Sequence, residues 1–159
     1  MPPDSDIDTW HPSIQALYRY WLGIHPETGL PGRQHVDPLD LRRFLPWIWL
    51  LELQREPFRA RYRLVGTRIC ELAGRELTGM WLDEAHSLVA ENPSRLDRFR
   101  RVAEIGQPSW RRGKPSLFLS DMADFTEIEN LFLPLARNGQ TVDMILAYSV
   151  FYHLDGTEL

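Results

Sequence analysis

"NLFLPLARNGQTVDMILAYSVF" runs from Asn130 to Phe151, and its reading decides the architecture. Two apolar runs flank Asn138-Gly139, a dipeptide that closes tight hairpins. The stretch is therefore expected to form two long strands, 125–136 and 140–153, joined by a tight turn. In the second strand Val142, Met144, Leu146, Tyr148, Val150 and Tyr152 fall on one face, with Ile145, Ala147 and Phe151 on the other. A strand apolar on both sides must be covered on both sides. Internal helices are expected over one face, and an N-terminal helix over the face of Ile145 and Phe151. In the first strand Asn130 is expected to point inward with Ile128 and Phe132. A buried amide needs partners: either backbone groups that lock it or a ligand.

Outward from this hairpin, "SWRRGKPSLFLS" (109–120) suggests two short strands around Gly113-Lys114-Pro115. The spacing of Leu96, Phe99, Val102 and Ala103 predicts a helix over 94–105, capped by Ser94 and closed by Gly106. "WIWLLELQ" (47–54) and "ARYRLVG" (60–66) read as strands joined at Glu56-Pro57, the second with Arg61 and Arg63 outward and Tyr62 and Leu64 inward. Thr67 is expected to cap a short helix over 68–73, with Gly74 in the left-handed position. Asp37-Pro38 is expected to open another short helix, stopped by Pro46. Trp10, Ile14, Leu17, Tyr18, Trp21 and Ile24 recur at helical spacing, with Pro12 suited to a first turn. "HPETGLPGRQHV" (25–36) is a loop by its proline and glycine content.

The 159 residues, 43% hydrophobic and 25% charged, suit one globular domain. A net charge of −4 provides no general field for nucleic acid or an anionic membrane. Cys70 is the single cysteine, so an internal disulfide is excluded, which suits a reducing compartment. The opening "MPPDSDIDTW" lacks the basic and apolar parts of a signal peptide. The most apolar run, 44–53, is interrupted by Pro46 and Glu52 and falls short of the roughly 20 residues of a membrane span. A cytoplasmic location is expected.

Few chemical motifs survive inspection. Gly74 and Gly79 have the spacing of a phosphate loop, but Met80 and Trp81 stand where the lysine and hydroxyl belong. Cys70 lies on an apolar helix segment as a small buried residue. The histidines at 11, 25, 35, 86 and 153 show no helical metal-binding pair. Glu127 and Glu129 share one side of a strand about 7 Å apart, and are expected on its wet face. Arg95, Arg98, Arg100 and Arg101 are interleaved with Asp97 and Glu104, the pattern of a solvated helix face.

The order of elements resembles a PAS domain. The residues that carry the resemblance are "FRARYRLVGTRICELAGRELTGMWLDE" (58–84), "RLDRFRRVAEIGQP" (95–108) and the hairpin. With the leader "LYRYWLGI" (17–24) and "LPGRQHVDPLDLRRFLPWIWLLEL" (30–53), the likeness extends to a stand-alone PAS variant common in alphaproteobacteria and covers about residues 14 to 152. It implies an α+β fold: a five-stranded antiparallel sheet with internal helices on one face and an N-terminal helix on the other. Residues 1–36 would be a packing or dimerisation extension, 37–153 the sensory domain and 154–159 a tail.

The resemblance also implies a pocket for a small hydrophobic or mixed ligand, without catalysis. Tyr62, Leu64, Trp81, Asn130, Phe132 and Tyr148 are the side chains expected there, with His86 at its mouth. Helix 94–105 lacks the histidine of haem-binding relatives, and Cys70 stands outside the Asn-Cys-Arg-Phe-Leu motif of flavin photoreceptors, so neither cofactor is expected. Part of the stripe of Trp10, Ile14, Leu17, Tyr20 and Trp21 is expected to bury against a second copy, and the signal to pass to a separate protein. The alternatives are a ligand-free dimerisation or adaptor module and a small α+β enzyme.

Overall fold

The computed structural model describes residues 4–117 and 127–159. A 3-10 turn, Asp4–Thr9, leads into α1 (Pro12–Gly23). Strands β1 (Ile48–Gln54) and β2 (Arg59–Val65) follow, then four short helices: α2 (Thr67–Ala73), α3 (Leu82–Ala85), α4 (Ser87–Glu91) and α5 (Asp97–Ile105). The chain ends with β3 (Ser109–Gly113), β4 (Glu127–Leu135) and β5 (Met144–Tyr152). Among the described residues the strands form one five-stranded sheet in the order β2-β1-β5-β4-β3, each neighbouring pair antiparallel. This is the expected α+β architecture.

The sheet separates two apolar cores, because β4 and β5 are apolar on both faces. On one face Ile14, Leu17, Tyr18 and Trp21 of α1 pack with Leu131, Leu133, Leu146 and Tyr148. Each large side chain removed from water there stabilises by roughly 1.5–3 kcal/mol. His11 opens α1 by accepting from the Ser13 N–H through Nδ1 (3.0 Å). Trp21 fastens the helix to the strand by donating Nε1–H to the Pro134 carbonyl (3.0 Å). Proline is tolerated at 134 because β3 pairs only as far as Phe132, leaving that edge of β4 without a ladder. On the other face α2 to α5 contribute Ile69, Leu82, Val89, Phe99 and Val102 against Trp49, Phe132, Ile145 and Phe151. The double cover of β5 is therefore present with its faces exchanged: α1 covers Leu146 and Tyr148, and the internal helices cover Ile145 and Phe151.

Several local expectations are corrected. The 37–44 segment is a run of turns with i to i+3 bonds, such as Asp40 N–H to Asp37 C=O (3.0 Å) and Phe44 N–H to Leu41 C=O (2.8 Å), rather than a helix. Two prolines eight residues apart leave too little chain to propagate one. Gly66, not Thr67, is the N-cap of α2. Asn92 rather than Ser94 opens the turn before α5, its side chain accepting from the Ser94 N–H (3.2 Å). The β4–β5 connection is eight residues long, 136–143, with an Ala136-to-Gly139 turn (2.9 Å) and Asn138 Oδ1 accepting from Gln140 and Thr141. Gly139 has φ +82°, while Asn138 keeps a negative φ, so this is not the two-residue hairpin. The second strand expected after Pro115 lies largely outside the described residues.

Leu64 also departs from expectation. Leu50 pairs with Leu64 but Leu51 with Tyr62, so Arg63 is the extra residue of a β-bulge. The slip turns Leu64 to the α1 side of the sheet, 41% exposed, while Tyr62 stays buried on the other side.

Candidate functional site

Polar groups meet an apolar wall where α5 crosses β3 and β4. A cavity of about 270 Å³ opens there, lined by Trp49, Arg98, Phe99, Arg111, Asn130 and Phe132 among others. Its wall is an aromatic cluster: Phe99 and Phe132 stack at 4.5 Å, and Trp49 meets Phe132 edge-on at 5.4 Å. Trp49 is oriented by donating Nε1–H to Ser149 Oγ (2.8 Å) on β5.

Arg98 is the polar centre. Its Nε and Nη2 donate to Ser109 Oγ and Ser109 C=O, both at 2.8 Å. Its Nη1 donates to Asn130 Oδ1, and the guanidinium carbon sits 3.8 Å from the Phe132 ring centre. The Asn130 amide is thus engaged by a cationic side chain rather than by backbone groups. Burial, reinforced by the neighbouring Arg111 charge, pushes the Arg98 guanidinium down to about 9, still cationic at neutral pH. Arg98 is not part of a solvated helix face.

The structure disperses the side chains that the sequence grouped. Asn130 and Phe132 line the cavity. Tyr62 and His86 lie in the same core but are bonded to each other (Oη to Nε2, 2.6 Å), and His86 is 4% exposed rather than at a mouth. Burial raises the Tyr62 phenol, which stays protonated, and lowers the His86 imidazole to about 4. Trp81 flanks β2, packed beneath the guanidinium groups of Arg59 and Arg61. Leu64 and Tyr148 face α1 and do not reach the cavity. Trp10, Ile14, Leu17 and Trp21 are all buried within the chain, so their size is accounted for by its own sheet. Tyr20 is tied to the 37–44 turns, accepting from Asp37 N–H (3.1 Å) and donating to Asp40 (3.2 Å).

Trp49, Arg98 and Phe99 are the functional candidates that the sequence reading missed. A signal existed for two of them: Arg95, Arg98, Phe99 and Val102 share one helical stripe, placing arginine beside the buried side.

A second polar cluster lies beneath α1. Glu129 is 1% exposed, not on a wet face, and accepts from His11 N–H (2.8 Å), Trp110 Nε1–H (2.9 Å) and Tyr152 O–H (2.7 Å). Three donors satisfy this buried carboxylate. Cys70 is half-buried, and burial pushes its thiol up, away from the reactive thiolate. Among the described residues no group of three His, Cys, Asp or Glu is placed to hold a metal, and no helix is long and apolar enough to cross a membrane.

An antiparallel β2-β1-β5-β4-β3 sheet, with short helices over one face and a side cavity there, has a counterpart among known families. The PAS domain family model matches residues 9–148. This chain belongs to the PAS domain family. The family match begins at Thr9 and so takes in α1 of this PAS domain, and it runs through the sheet as far as Tyr148 within β5. PAS domains are sensory and signalling modules, generally non-catalytic. No curated protein matches the chain.

Proposed function

We propose that this PAS domain is a cytoplasmic sensory module that binds a small molecule between α5 and the sheet and reports occupancy to a separate signalling protein. It works without catalysis and without haem or flavin. The observation that carries the reading is the cavity itself: an aromatic wall with a few convergent polar groups, Arg98 and Asn130 foremost, is the make-up of a small-molecule site. The lining combines Arg98 and Asn130 with Trp49, Phe99 and Phe132, so a ligand there would meet polar groups that orient it and aromatic surface that desolvates it.

Native mass spectrometry of the purified chain tests this, beside Ile128→Trp, which fills the cavity from its β4 wall. The expected result is a bound molecule in the wild type and none in the variant. A wild type that carries nothing, and whose melting temperature no member of a small-molecule library raises, overturns the reading. The second reading, a ligand-free adaptor, is favoured by exposed Leu39 (72%) and Leu64 (41%) near an apolar hollow formed by Val36, Leu41 and Leu50. Signalling that persists in Ile128→Trp would favour it.

A further inference from the structure

We propose that the α5–β3–β4 cavity takes a small oxyanion, a carboxylate or phosphate borne on an apolar body of about ten non-hydrogen atoms. This rests on the sensor reading and specifies its ligand. The size follows from volume: a cavity of about 150 Å³ holds benzene, so about 270 Å³ accommodates a ring with a short acidic substituent. The body is set by Trp49, Phe99, Phe132, Ile128 and Leu117, which form the apolar lining.

The charge requirement comes from three arginines. Arg95, Arg98 and Arg111 line this one cavity, and among the described residues its lining contains no Asp or Glu. Elsewhere Arg59, Arg61, Arg68, Arg100 and Arg112 each hold a carboxylate, while Arg33 and Arg75 each hold a carbonyl; the cavity brings three arginines of the second kind together. The three cavity arginines hold only neutral oxygens: Arg95 the Ser116 carbonyl (2.9 Å), Arg98 the Ser109 and Asn130 oxygens, and Arg111 the Lys114 carbonyl (2.8 Å). The Arg95 Nε–H is buried with no hydrogen-bond partner. Partly desolvated cations without a counter-charge are unfavourable. An entering oxyanion would relieve that and match the planar donor fork of guanidinium. A neutral ligand of the same shape would fill the apolar part and leave the cations as they are.

The test is titration calorimetry of the full chain with phenylacetate, phenyl phosphate and phenylacetamide, the last being the neutral isostere of the first. At least one oxyanion is expected to bind about tenfold or more tightly than the amide, since hydrogen bonds between charged groups are the strong ones. The tighter of the two names the source of the oxyanion. Arg111→Gln, whose side chain holds only a carbonyl, is expected to lose about tenfold in oxyanion affinity and to keep its amide affinity and melting temperature. Arg98→Met should lose more, and if it fails to fold, Arg95→Gln takes its place beside Arg111→Gln. Equal affinities for acid and amide overturn the oxyanion inference and leave the sensor reading standing. Failure of all three to bind also overturns it, while the native mass spectrum judges the sensor reading separately.

Discussion

Glu129 and Asn130 are consecutive on β4 and fasten opposite layers of the molecule to the sheet. Glu129 accepts from the His11 N–H at the start of α1 (2.8 Å), and Asn130 accepts from Arg98 on α5. Strand alternation sends neighbouring side chains to opposite faces, so one peptide unit serves both covers. The cavity wall and the anchor of the N-terminal helix are therefore adjacent residues.

Glu129→Gln tests the anchor. The substituted amide is neutral and keeps a single acceptor oxygen where the carboxylate offered two charged ones to His11, Trp110 and Tyr152, so the three bonds are weakened or rearranged. A loss of about 1–3 kcal/mol is expected in urea unfolding. A variant as stable as the wild type would show that α1 is held by its apolar stripe alone.

Asn130→Leu should also lose about 1–3 kcal/mol, because a buried Arg98 N–H is left without its acceptor. Arg98→Leu removes the other partner. If the two act as a pair, the double variant should lose clearly less than the sum of the single losses. Strict additivity would contradict the bond.

His86 predicts a pH dependence. Burial, with a smaller contribution from the Arg75 charge, lowers the imidazole from 6.5 to about 4 in the folded chain. Between those values the unfolded chain binds more protons, so stability is complete above pH 6.5 and is lost as pH falls toward 4. The loss attributable to this group is about 3 kcal/mol at most. His86→Gln, which can still hydrogen-bond Tyr62, should flatten urea-unfolding stability across that window. An unchanged pH slope would assign the acid sensitivity to other groups.

Gly139 sits at φ +82° with its carbonyl accepting from Leu30 N–H (2.8 Å). Gly139→Val forces a β-branched residue into that left-handed position, and a loss of about 1–3 kcal/mol is expected. A melting temperature equal to that of the wild type would mean that the loop 136–143 re-forms without strain.

The parts of the fold that depend on local pattern were legible in the sequence. The two apolar faces of 144–152 called for a cover on each side, and the spacing from Trp10 to Trp21 supplied one of them. Which cover belongs to which face was not legible, because both sides of β5 are apolar and only Ser149 distinguishes them. Leu64 was misplaced because the bulge at Arg63 carries no glycine or proline to mark it. The alternation put Glu129 opposite Asn130 correctly, but the water on that side is displaced by a helix start 118 residues earlier. Arg98 was obscured in the same way: its seat is made by Ser109 and Asn130, 11 and 32 residues further on.

The central claim is that the α5–β3–β4 cavity is the ligand site, and a nitrogen-15 NMR titration with phenylacetate and phenyl phosphate tests it most directly. The side-chain Nε–Hε signals of Arg98 and Arg111 and the side-chain amide of Asn130 are predicted to shift together and saturate, with Gly139 and the α1 amides far less affected. Saturable shifts centred on Tyr62 and His86, or on the α1 face around Tyr148, with those three side chains unmoved, would contradict the account.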